Sequence, residues 1–394
     1  MTKKVSILLV GMSGYGNVYL NELLTKKNRS ASLVGVVDIN PKRSDYYEEI
    51  INRDIPIYES MNEFYRTNKS DLAIISTPIH LHMEQSCYAM NHGSNVLCEK
   101  PMSANPEDVQ SMIDTRDKTG KFLAVGFNWS FTPSVQQLKK DILSGEFGKV
   151  KRLKSIALWP RSLDYFNRSN WAGKKYSSTG DMIFDSVANN ATAHFLHHLL
   201  YVTGNTVDTS AQIKNVTAEL YRTNAIETFD TSAVKVQTTS NIDIYYYATH
   251  AVKETREPQF VIECENAVIH YESGYEDSTI IAYWKDGTKK VYGDPENEHL
   301  AKLDVCIHAI QQDNQQILCG SEAASAHVNC IYAMHQSVPE APYFPKHLTN
   351  YENNQKLYWI DGLADTLLTC FENWRLPSDQ NVEWSKKGKT IEFN

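Results

Sequence analysis

The chain has 394 residues, more than one ordinary hydrophobic core accommodates, and this length predicts two domains. Hydrophobic residues make up 42% and charged residues 22%, a balance typical of globular proteins that excludes collagen-like and wholly disordered chains. The formal net charge of −8 argues against a nucleic acid or a membrane surface as partner, because both require clustered cations. No apolar run is long enough to span a bilayer. Seven cysteines without a Cys-x-x-Cys pair predict reduced thiols and a cytoplasmic location.

The first part of the chain alternates short apolar runs with helical stretches, the pattern of strand–helix–strand units. The predicted strands are Val5–Val10, Ser32–Val37, Leu72–Ser76, Asn95–Cys98 and Phe122–Val125. The predicted helices are Asn17–Lys27, Arg43–Arg53, Met61–Asn68, His82–Asn91 and Pro106–Thr119. Continuous apolar strands are covered on both faces, which indicates a doubly wound parallel sheet. We therefore predict an α/β fold whose residues 1–128 form a Rossmann domain that binds a dinucleotide.

Residues 129–394 have a different pattern, rich in Tyr and Thr and in short strands, which predicts an α+β domain with a large, mainly antiparallel sheet. The predicted strands are Val150–Leu158, Val216–Arg222, Ser232–Thr238, Ile242–His250, Gln259–Cys264, Ala267–Tyr271, Ile280–Trp284 and Lys289–Val291. The predicted helices are Val135–Ser144, Leu303–Asp313, Ser325–His335 and Gln355–Asn373. We expect this domain to bind a substrate in a cleft beside the first domain.

A glycine-rich loop follows the first predicted strand and opens the first helix. It consists of Gly11, Met12, Ser13, Gly14, Tyr15 and Gly16. A helix N-terminus after such a turn presents backbone N–H groups to a pyrophosphate. Ser13 stands where the dinucleotide fingerprint usually has its middle glycine. Asp38 ends the second strand, where a carboxylate binds a ribose 2′-hydroxyl, so the sequence favours NAD over NADP, with Arg43 as a possible phosphate partner.

Several separated motifs resemble those of the Gfo/Idh/MocA oxidoreductase family. They are the glycine loop, Ser76-Thr77-Pro78 with His82 after it, Glu99-Lys100-Pro101, Gly126-Phe127-Asn128, and Gly145-Glu146-Phe147-Gly148. The resemblance implies that Lys100 is the catalytic lysine near the nicotinamide and that Pro101 shapes its loop. It also implies that the cofactor is contacted by Ser76, Thr77, Pro78, His82, Glu99, Lys100, Asn128 and Trp129. Independently, a lysine at the carboxyl end of a parallel strand is placed to exchange a proton with a substrate hydroxyl. The alternatives for Lys100 are a structural ion pair with Glu99 and a role in positioning the cofactor without proton transfer.

The family's usual second-domain motif is an Asp followed four residues later by a His. Here Asp185 is followed at that spacing by Asn189, and His194 stands nine positions after Asp185. Nine positions are about two and a half helical turns, so the two side chains cannot share a face of one straight helix. The sequence therefore predicts a break before the helix that carries His194, with Asp185 and His194 assisting catalysis and Asn189 and Asn190 holding substrate hydroxyls.

Two further groups of residues have a chemical and a structural interpretation. His194, His197 and His198 share a helix face, but no acid or cysteine pair completes a metal site, so we expect no metal there. One of the three is expected to face the substrate, and the others to pack. Trp159, Arg161 and Trp171 belong to an aromatic and cationic cluster typical of sugar binding, although ordinary packing explains any one of them.

The leading functional hypothesis is an NAD-dependent oxidoreductase acting on a CH–OH group of a sugar, cyclitol or sugar derivative. The alternatives are a glycoside-cleaving enzyme that oxidises its substrate transiently and returns the hydride, and a dinucleotide-sensing protein without activity. Tyr245 and Tyr247 are predicted to share a face of the second sheet, opposite Tyr246. We expect the face of this sheet that the domain's own helices leave open to self-associate in a homodimer or homotetramer.

Overall fold

The computed structural model describes residues 4–26, 30–274 and 278–393. Its chain divides into two compact units, Met1–Phe131 with Leu300–Ala324, and Thr132–His299 with Ser325–Asn394. The first segment of the first unit ends at Phe131, three residues after the boundary at residue 128 that the sequence predicts. The first unit also includes Leu300–Ala324. The sequence interpretation differs here, because it placed every residue after 128 in the second domain. Within the described ranges no helix combines the length and apolarity needed to cross a membrane.

The strands and helices have the following bounds. The strands are β1 (Val5–Val10), β2 (Ala31–Val37), β3 (Ile57–Tyr58), β4 (Leu72–Ile75), β5 (Asn95–Cys98), β6 (Leu123–Val125), β7 (Val150–Leu158), β8 (Ile213–Tyr221), β9 (Thr231–Thr238), β10 (Asp243–Thr249), β11 (Arg256–Cys264), β12 (Ala267–Glu272), β13 (Ile280–Trp284), β14 (Lys289–Gly293), β15 (Thr349–Glu352), β16 (Leu357–Ile360) and β17 (Thr390–Glu392). The helices are α1 (Gly16–Thr25), α2 (Tyr47–Asn52), α3 (Met61–Thr67), α4 (His82–Asn91), α5 (Pro106–Thr119), α6 (Pro133–Ser144), α7 (Leu163–Phe166), α8 (Ala193–Val202), α9 (Ala301–Gln311), α10 (Ser321–Ser337) and α11 (Leu363–Asn373).

The first unit contains a six-stranded sheet in the order β3-β2-β1-β4-β5-β6, and all its pairs are parallel. Every residue of β4 and β5 is buried, as expected for strands covered on both faces. The predicted Rossmann sheet is therefore confirmed. The strand order reverses between β1 and β4, which opens a crevice at the carboxyl ends of these strands.

Capping explains why some predicted helix bounds agree with the structure. The Asn105 side chain accepts the Glu107 N–H at 3.1 Å, Pro106 takes the first helical position, and Gly120 ends α5 with φ of +65°. The bounds of α5 are therefore those predicted. Helix α1 begins at Gly16, and the last residue of its predicted span, Lys27, lies outside the described residues.

The second unit contains a nine-stranded sheet in the order β14-β13-β12-β11-β7-β10-β9-β8-β17. All its pairs are antiparallel except β7 with β10, so the prediction of a mainly antiparallel sheet is confirmed. The segment Gln355–Asn373, predicted as one helix, instead forms β16 and then α11, separated by Gly362 with φ of +69°. Strand β16 is held by β15, a partner that the helical pattern did not reveal.

The face of this sheet that carries Tyr245 and Tyr247 is covered by the chain itself. Tyr245 is 8% and Tyr247 0% exposed, and both pack in a core with Leu363, Leu367 and other residues of α11. The tyrosine face is therefore one that the domain's own helices cover, because α11 packs over it. What remains exposed on this face lies farther along the sheet, on β12–β14, where Val268, Tyr283 and Val291 are 42%, 46% and 57% exposed.

Candidate active site

The first unit has a cavity of about 490 Å³ at the carboxyl ends of β1, β2 and β4. Six of the predicted cofactor-binding residues line it, namely Gly11, Ser13, Asp38, Ser76, Thr77 and Pro78. Arg43 and Gln85 complete part of its wall, and Gln85 accepts a hydrogen bond from the Thr77 hydroxyl at 2.6 Å. The cavity coincides with the reversal of strand order, where this fold class binds its ligands.

The glycine loop between β1 and α1 has room for a phosphate. Gly11 has φ of +85°, a left-handed conformation that favours glycine, and its N–H donates to the Val37 carbonyl at 2.9 Å. The backbone N–H groups of Ser13 and Gly14 have no hydrogen-bond partner among the described residues, and Ser13 faces the cavity. Tyr15 and Gly16 continue into the first turn of α1. The loop and helix N-terminus therefore fit the pyrophosphate of a dinucleotide.

Asp38 lies at the end of β2 with its carboxylate at the edge of the cavity. One oxygen accepts the Met12 N–H at 2.9 Å, and the other accepts the Asn40 N–H at 2.7 Å. These bonds fix the carboxylate against the glycine loop. Since each carboxylate oxygen accepts more than one hydrogen bond, Asp38 retains the capacity to bind a ribose hydroxyl.

His82, the first residue of α4, is buried and is not among the residues that line the cavity. Its ring is 1% exposed, and its nitrogens lie 2.8 Å from the carbonyl oxygens of Thr77 and Pro101. Burial lowers the pKa of His82, although the two carbonyls oppose this change. His82 therefore joins the Thr77 loop to the Pro101 loop, and the place in the cofactor groove that the resemblance implies stays a prediction.

Lys100 follows β5 and is partly exposed, and its peptide bond to Pro101 is cis. The preceding Glu99 is 6% exposed, and its carboxylate accepts the Tyr19 hydroxyl at 2.6 Å and the Lys100 N–H at 3.3 Å. Glu99 is therefore held inside the protein, while the lysine reaches the surface. The other two predicted cofactor contacts, Asn128 and Trp129, lie in a 3₁₀ turn after β6 and are 4% and 3% exposed.

In the second unit, Asp185 is 4% exposed and anchors a turn. Its carboxylate accepts the Arg168 guanidinium at 3.0 Å, the Gly173 N–H at 2.7 Å and the Asn190 amide at 2.7 Å. Helix α8 begins at Ala193, so the predicted break between Asp185 and the helix is confirmed. A carboxylate with this many donors holds a turn in place.

Of the two asparagines expected to hold substrate hydroxyls, Asn189 is withdrawn from solvent. It is 0% exposed, and its amide donates to the Ile183 carbonyl at 3.1 Å. In this position the side chain packs inside the turn. Asn190 remains partly exposed while it holds Asp185.

The three histidines of α8 occupy different environments. His197 and His198 are each 1% exposed, stacked on Tyr201 and tilted against Phe260. Burial lowers the pKa of both, that of His198 to about 3. His194 is partly exposed. His197 and His198 are therefore packing residues, which leaves His194 as the one that reaches the surface.

An aromatic and cationic cluster lies between β7 and Asp185. The Arg161 guanidinium is 5.5 Å from the ring centre of Trp159 and 5.4 Å from that of Tyr165, and Arg168 lies 4.8 Å from Trp171. His250, at the end of β10, belongs to the same cluster, and sequence analysis missed it. Its Nδ1 lies 2.7 Å from the Trp159 carbonyl, and burial lowers its pKa to about 3. A single histidine after a strand carries no sequence signal for such a role.

A parallel sheet with a glycine loop at its strand reversal, joined to a large mixed sheet, defines a dinucleotide-binding oxidoreductase class. Residues 5–127 match the family described as "Oxidoreductase family, NAD-binding Rossmann fold", and residues 135–270 match the "GFO/IDH/MocA C-terminal domain". The chain belongs to the Gfo/Idh/MocA oxidoreductase family, and its first unit is an NAD-binding Rossmann domain.

Known relatives resemble parts of the chain. It is 30% identical over 152 residues to the glucose-6-phosphate 3-dehydrogenase of Bacillus subtilis (strain 168), covering 39% of this chain and 41% of that protein. The chain is 27% identical over 163 residues to the myo-inositol 2-dehydrogenase of Thermotoga maritima, a match that covers 41% of this chain and 48% of that protein. The chain thus spans less than half the length of these relatives. The WlbA dehydrogenase of Bordetella pertussis, solved with NADH and UDP-GlcNAcA, shares the fold with a TM-score of 0.70. The two chains are 20% identical, and the match covers 85% of this chain and 97% of that one.

Proposed function

We propose that this protein is an NAD-dependent oxidoreductase that acts on a CH–OH group of a sugar, cyclitol or sugar derivative. The observation that carries the proposal is the arrangement at the carboxyl edge of the parallel sheet. The cavity with Asp38 and the glycine loop lies at β1, β2 and β4, and the partly exposed Lys100 follows β5, the neighbour of β4. The activities of the two dehydrogenases named above support the substrate class.

The chain's own residues orient the reactants and move a proton. When bound, NAD would supply the hydride acceptor for the substrate carbon. Asp38 would hold the adenosine ribose, and the N–H groups of the glycine loop would hold the pyrophosphate. Lys100 accepts the proton of the substrate hydroxyl. The hydrogen bond between Glu99 and the Lys100 N–H holds the backbone from which this side chain extends.

The second unit supplies substrate-binding side chains in this proposal. Trp159, Arg161, Trp171 and Asn190 offer aromatic faces and donors that suit a sugar ring, and His194 assists proton transfer. Asp185 orients this group through Arg168 and Asn190 and does not itself react. Asn189 has no part in binding, because it is buried in the turn.

We further propose a cytoplasmic, homo-oligomeric protein. All seven cysteines are free thiols, as expected in a reducing compartment. The exposed apolar side chains on β12–β14 supply a surface on which a second copy can pack. A homodimer or a homotetramer is the symmetric outcome of such self-association.

The test of the reaction is a panel of sugars, cyclitols and glycosides incubated with the protein and NAD. NADH formation with a sugar or cyclitol supports the proposal. Release of an aglycone with catalytic NAD and no net NADH would instead establish glycoside cleavage. NAD binding without turnover of any compound would favour a dinucleotide sensor.

Lys100→Ala tests the proposed base. General acid–base catalysis contributes ~10²–10⁴-fold, so kcat should fall by that factor while the dissociation constant of NAD stays nearly unchanged. Lys100→Arg should restore little, because guanidinium remains protonated at working pH. The exposed Lys118→Ala on α5 is the matched control and should retain turnover. Loss of NAD binding in Lys100→Ala with unchanged turnover at saturating NAD would make Lys100 a cofactor clamp.

A further inference from the structure

Lys302, in the first turn of α9, is a fully buried lysine of the first unit. Its side chain is 0% exposed, whereas lysine is almost never fully buried unless paired. Its ammonium forms an ion pair with Glu99 and lies 3.3 Å from the Gly126 carbonyl and 3.4 Å from the Tyr15 hydroxyl. The ammonium therefore has three oxygen partners, one for each of its hydrogens.

The partners of Lys302 come from three loops at the same edge of the parallel sheet. Tyr15 follows β1, Glu99 follows β5 and Gly126 follows β6. Packing here is tight, because a Cβ at Gly126 would lie 2.9 Å from the Glu99 carboxylate. One side chain thus joins the dinucleotide loop to the loop that carries Lys100.

The charges of this cluster are balanced. Burial by itself raises the pKa of Glu99, but Lys302, Tyr19 and Lys100 together hold that pKa below its ordinary value. Burial also lowers the pKa of Lys302, and Glu99 counteracts this. Glu99 and Lys302 consequently form a buried pair without net charge, and Glu99 also accepts the N–H of Lys100.

We propose that Lys302 is a positioning residue for Lys100: by neutralising Glu99 and tying the three loops together, it sets how readily Lys100 gives up its proton. Without Lys302, the uncompensated Glu99 carboxylate attracts the ammonium of the adjacent Lys100 more strongly, and the Lys100 proton is retained to higher pH. Without Glu99, the uncompensated Lys302 ammonium repels a charge on Lys100, and its proton is lost at lower pH. The relevance to turnover rests on the proposed function, but the charge relation does not.

The experiment measures the amine of Lys100 directly and needs no substrate. Each variant is labelled with trace acetic anhydride across the pH range in which lysines titrate, and the peptide containing Lys100 is quantified by mass spectrometry. Lys302→Met should raise the pH of half-maximal labelling by at least about one unit, and Glu99→Gln should lower it. The double variant should return it close to the wild-type value.

The matched control is Lys139→Met in the second unit. Lys139 is also 0% exposed, with its ammonium on the Thr209 carbonyl and over the Tyr201 ring, but it has no part in this cluster. Its loss should lower thermal stability and leave the labelling of Lys100 unchanged. Thermal denaturation of each variant verifies that it is folded at the labelling temperature.

Two results would overturn the proposal: a labelling curve in Lys302→Met that superimposes on the wild-type curve, or shifts of the same sign in both single variants. Either would make Lys302 a purely structural residue. If the opposite shifts appear but no substrate of the panel is oxidised, the charge relation holds and the proposed dehydrogenase function fails. If oxidation occurs, the acid limb of the pH profile of kcat should move to higher pH in Lys302→Met, together with the labelling curve.

Discussion

Asp38 performs two tasks with one carboxylate. It closes the glycine loop through the Met12 N–H and faces the cavity in which a ribose would lie. A negative charge there attracts a hydroxyl and repels a 2′-phosphate. Arg43 lines the same cavity and is the one nearby cation among the described lining residues that would offset this preference.

Asp38→Asn should weaken the binding of NAD and bring the dissociation constants of NAD and NADP closer together. The wild type is expected to bind NAD(H) more tightly than NADP(H). A hydrogen bond to a charged group contributes ~1.5–3 kcal/mol, so the dissociation constant of NAD should rise about 10–100-fold in calorimetric titration. Asp114→Asn, on the exposed face of α5, should bind both cofactors as the wild type does. Equal or tighter NADP(H) binding by the wild type would assign Arg43 to the phosphate.

At the scale of elements, the C-terminal helix α11 decides which part of the large sheet is free. Its Leu363 and Leu367 are 0% exposed against the tyrosine face of β10. On β12–β14 the same face keeps exposed apolar residues, and Val268 is directly opposite Tyr283 in the pairing of β12 with β13. A cross-strand apolar pair of this kind is suited to packing against a second copy.

Tyr283→Glu should dissociate the proposed oligomer. Light scattering at micromolar concentration should give the wild type a dimeric or tetrameric mass, and a charge placed at the interface should shift it toward the monomer. Tyr351→Glu changes a tyrosine with 42% exposure on β15, outside the large sheet, and should leave the mass unchanged. A monomeric wild type would refute the assembly, and an unchanged mass in Tyr283→Glu would locate the interface elsewhere.

At the scale of the whole molecule, buried neutral histidines should make stability sensitive to acid. Burial lowers the pKa of His198, His250 and His335 to about 3 each. In the unfolded chain these histidines take up protons below about pH 6.5, whereas the folded protein does not. Their contribution is therefore complete above that pH and is lost as the pH falls.

Protonation of one such histidine in the unfolded chain lowers the free energy of unfolding by ~1.4 kcal/mol for each pH unit below its unfolded pKa. Three of them therefore lower the free energy of unfolding by ~4 kcal/mol at about pH 5.5. Urea denaturation at neutral and mildly acidic pH measures this loss. His335→Gln should reduce the loss, whereas exchange of the exposed His308 for Gln should leave it unchanged. A denaturation midpoint that does not fall between the two pH values would contradict the prediction.

The sequence by itself determined the features that depend on neighbouring residues. Continuous apolar runs indicated the parallel sheet, Asn105 and Gly120 set the ends of α5, and the glycine loop with Asp38 indicated the dinucleotide site. The nine-residue spacing also required the break between Asp185 and His194. In each case the decisive residues are close in the chain, so local geometry suffices to interpret them.

Only the tertiary structure decided which distant residues meet. Lys302 lies 203 positions from Glu99, and no local pattern distinguishes it from a surface lysine until α9 returns to the first unit. In the same way, α11 covers Tyr245 and Tyr247, and the turn that follows Asp185 buries Asn189. These outcomes depend on which surfaces exclude water together, a property of the packed chain and not of any segment within it.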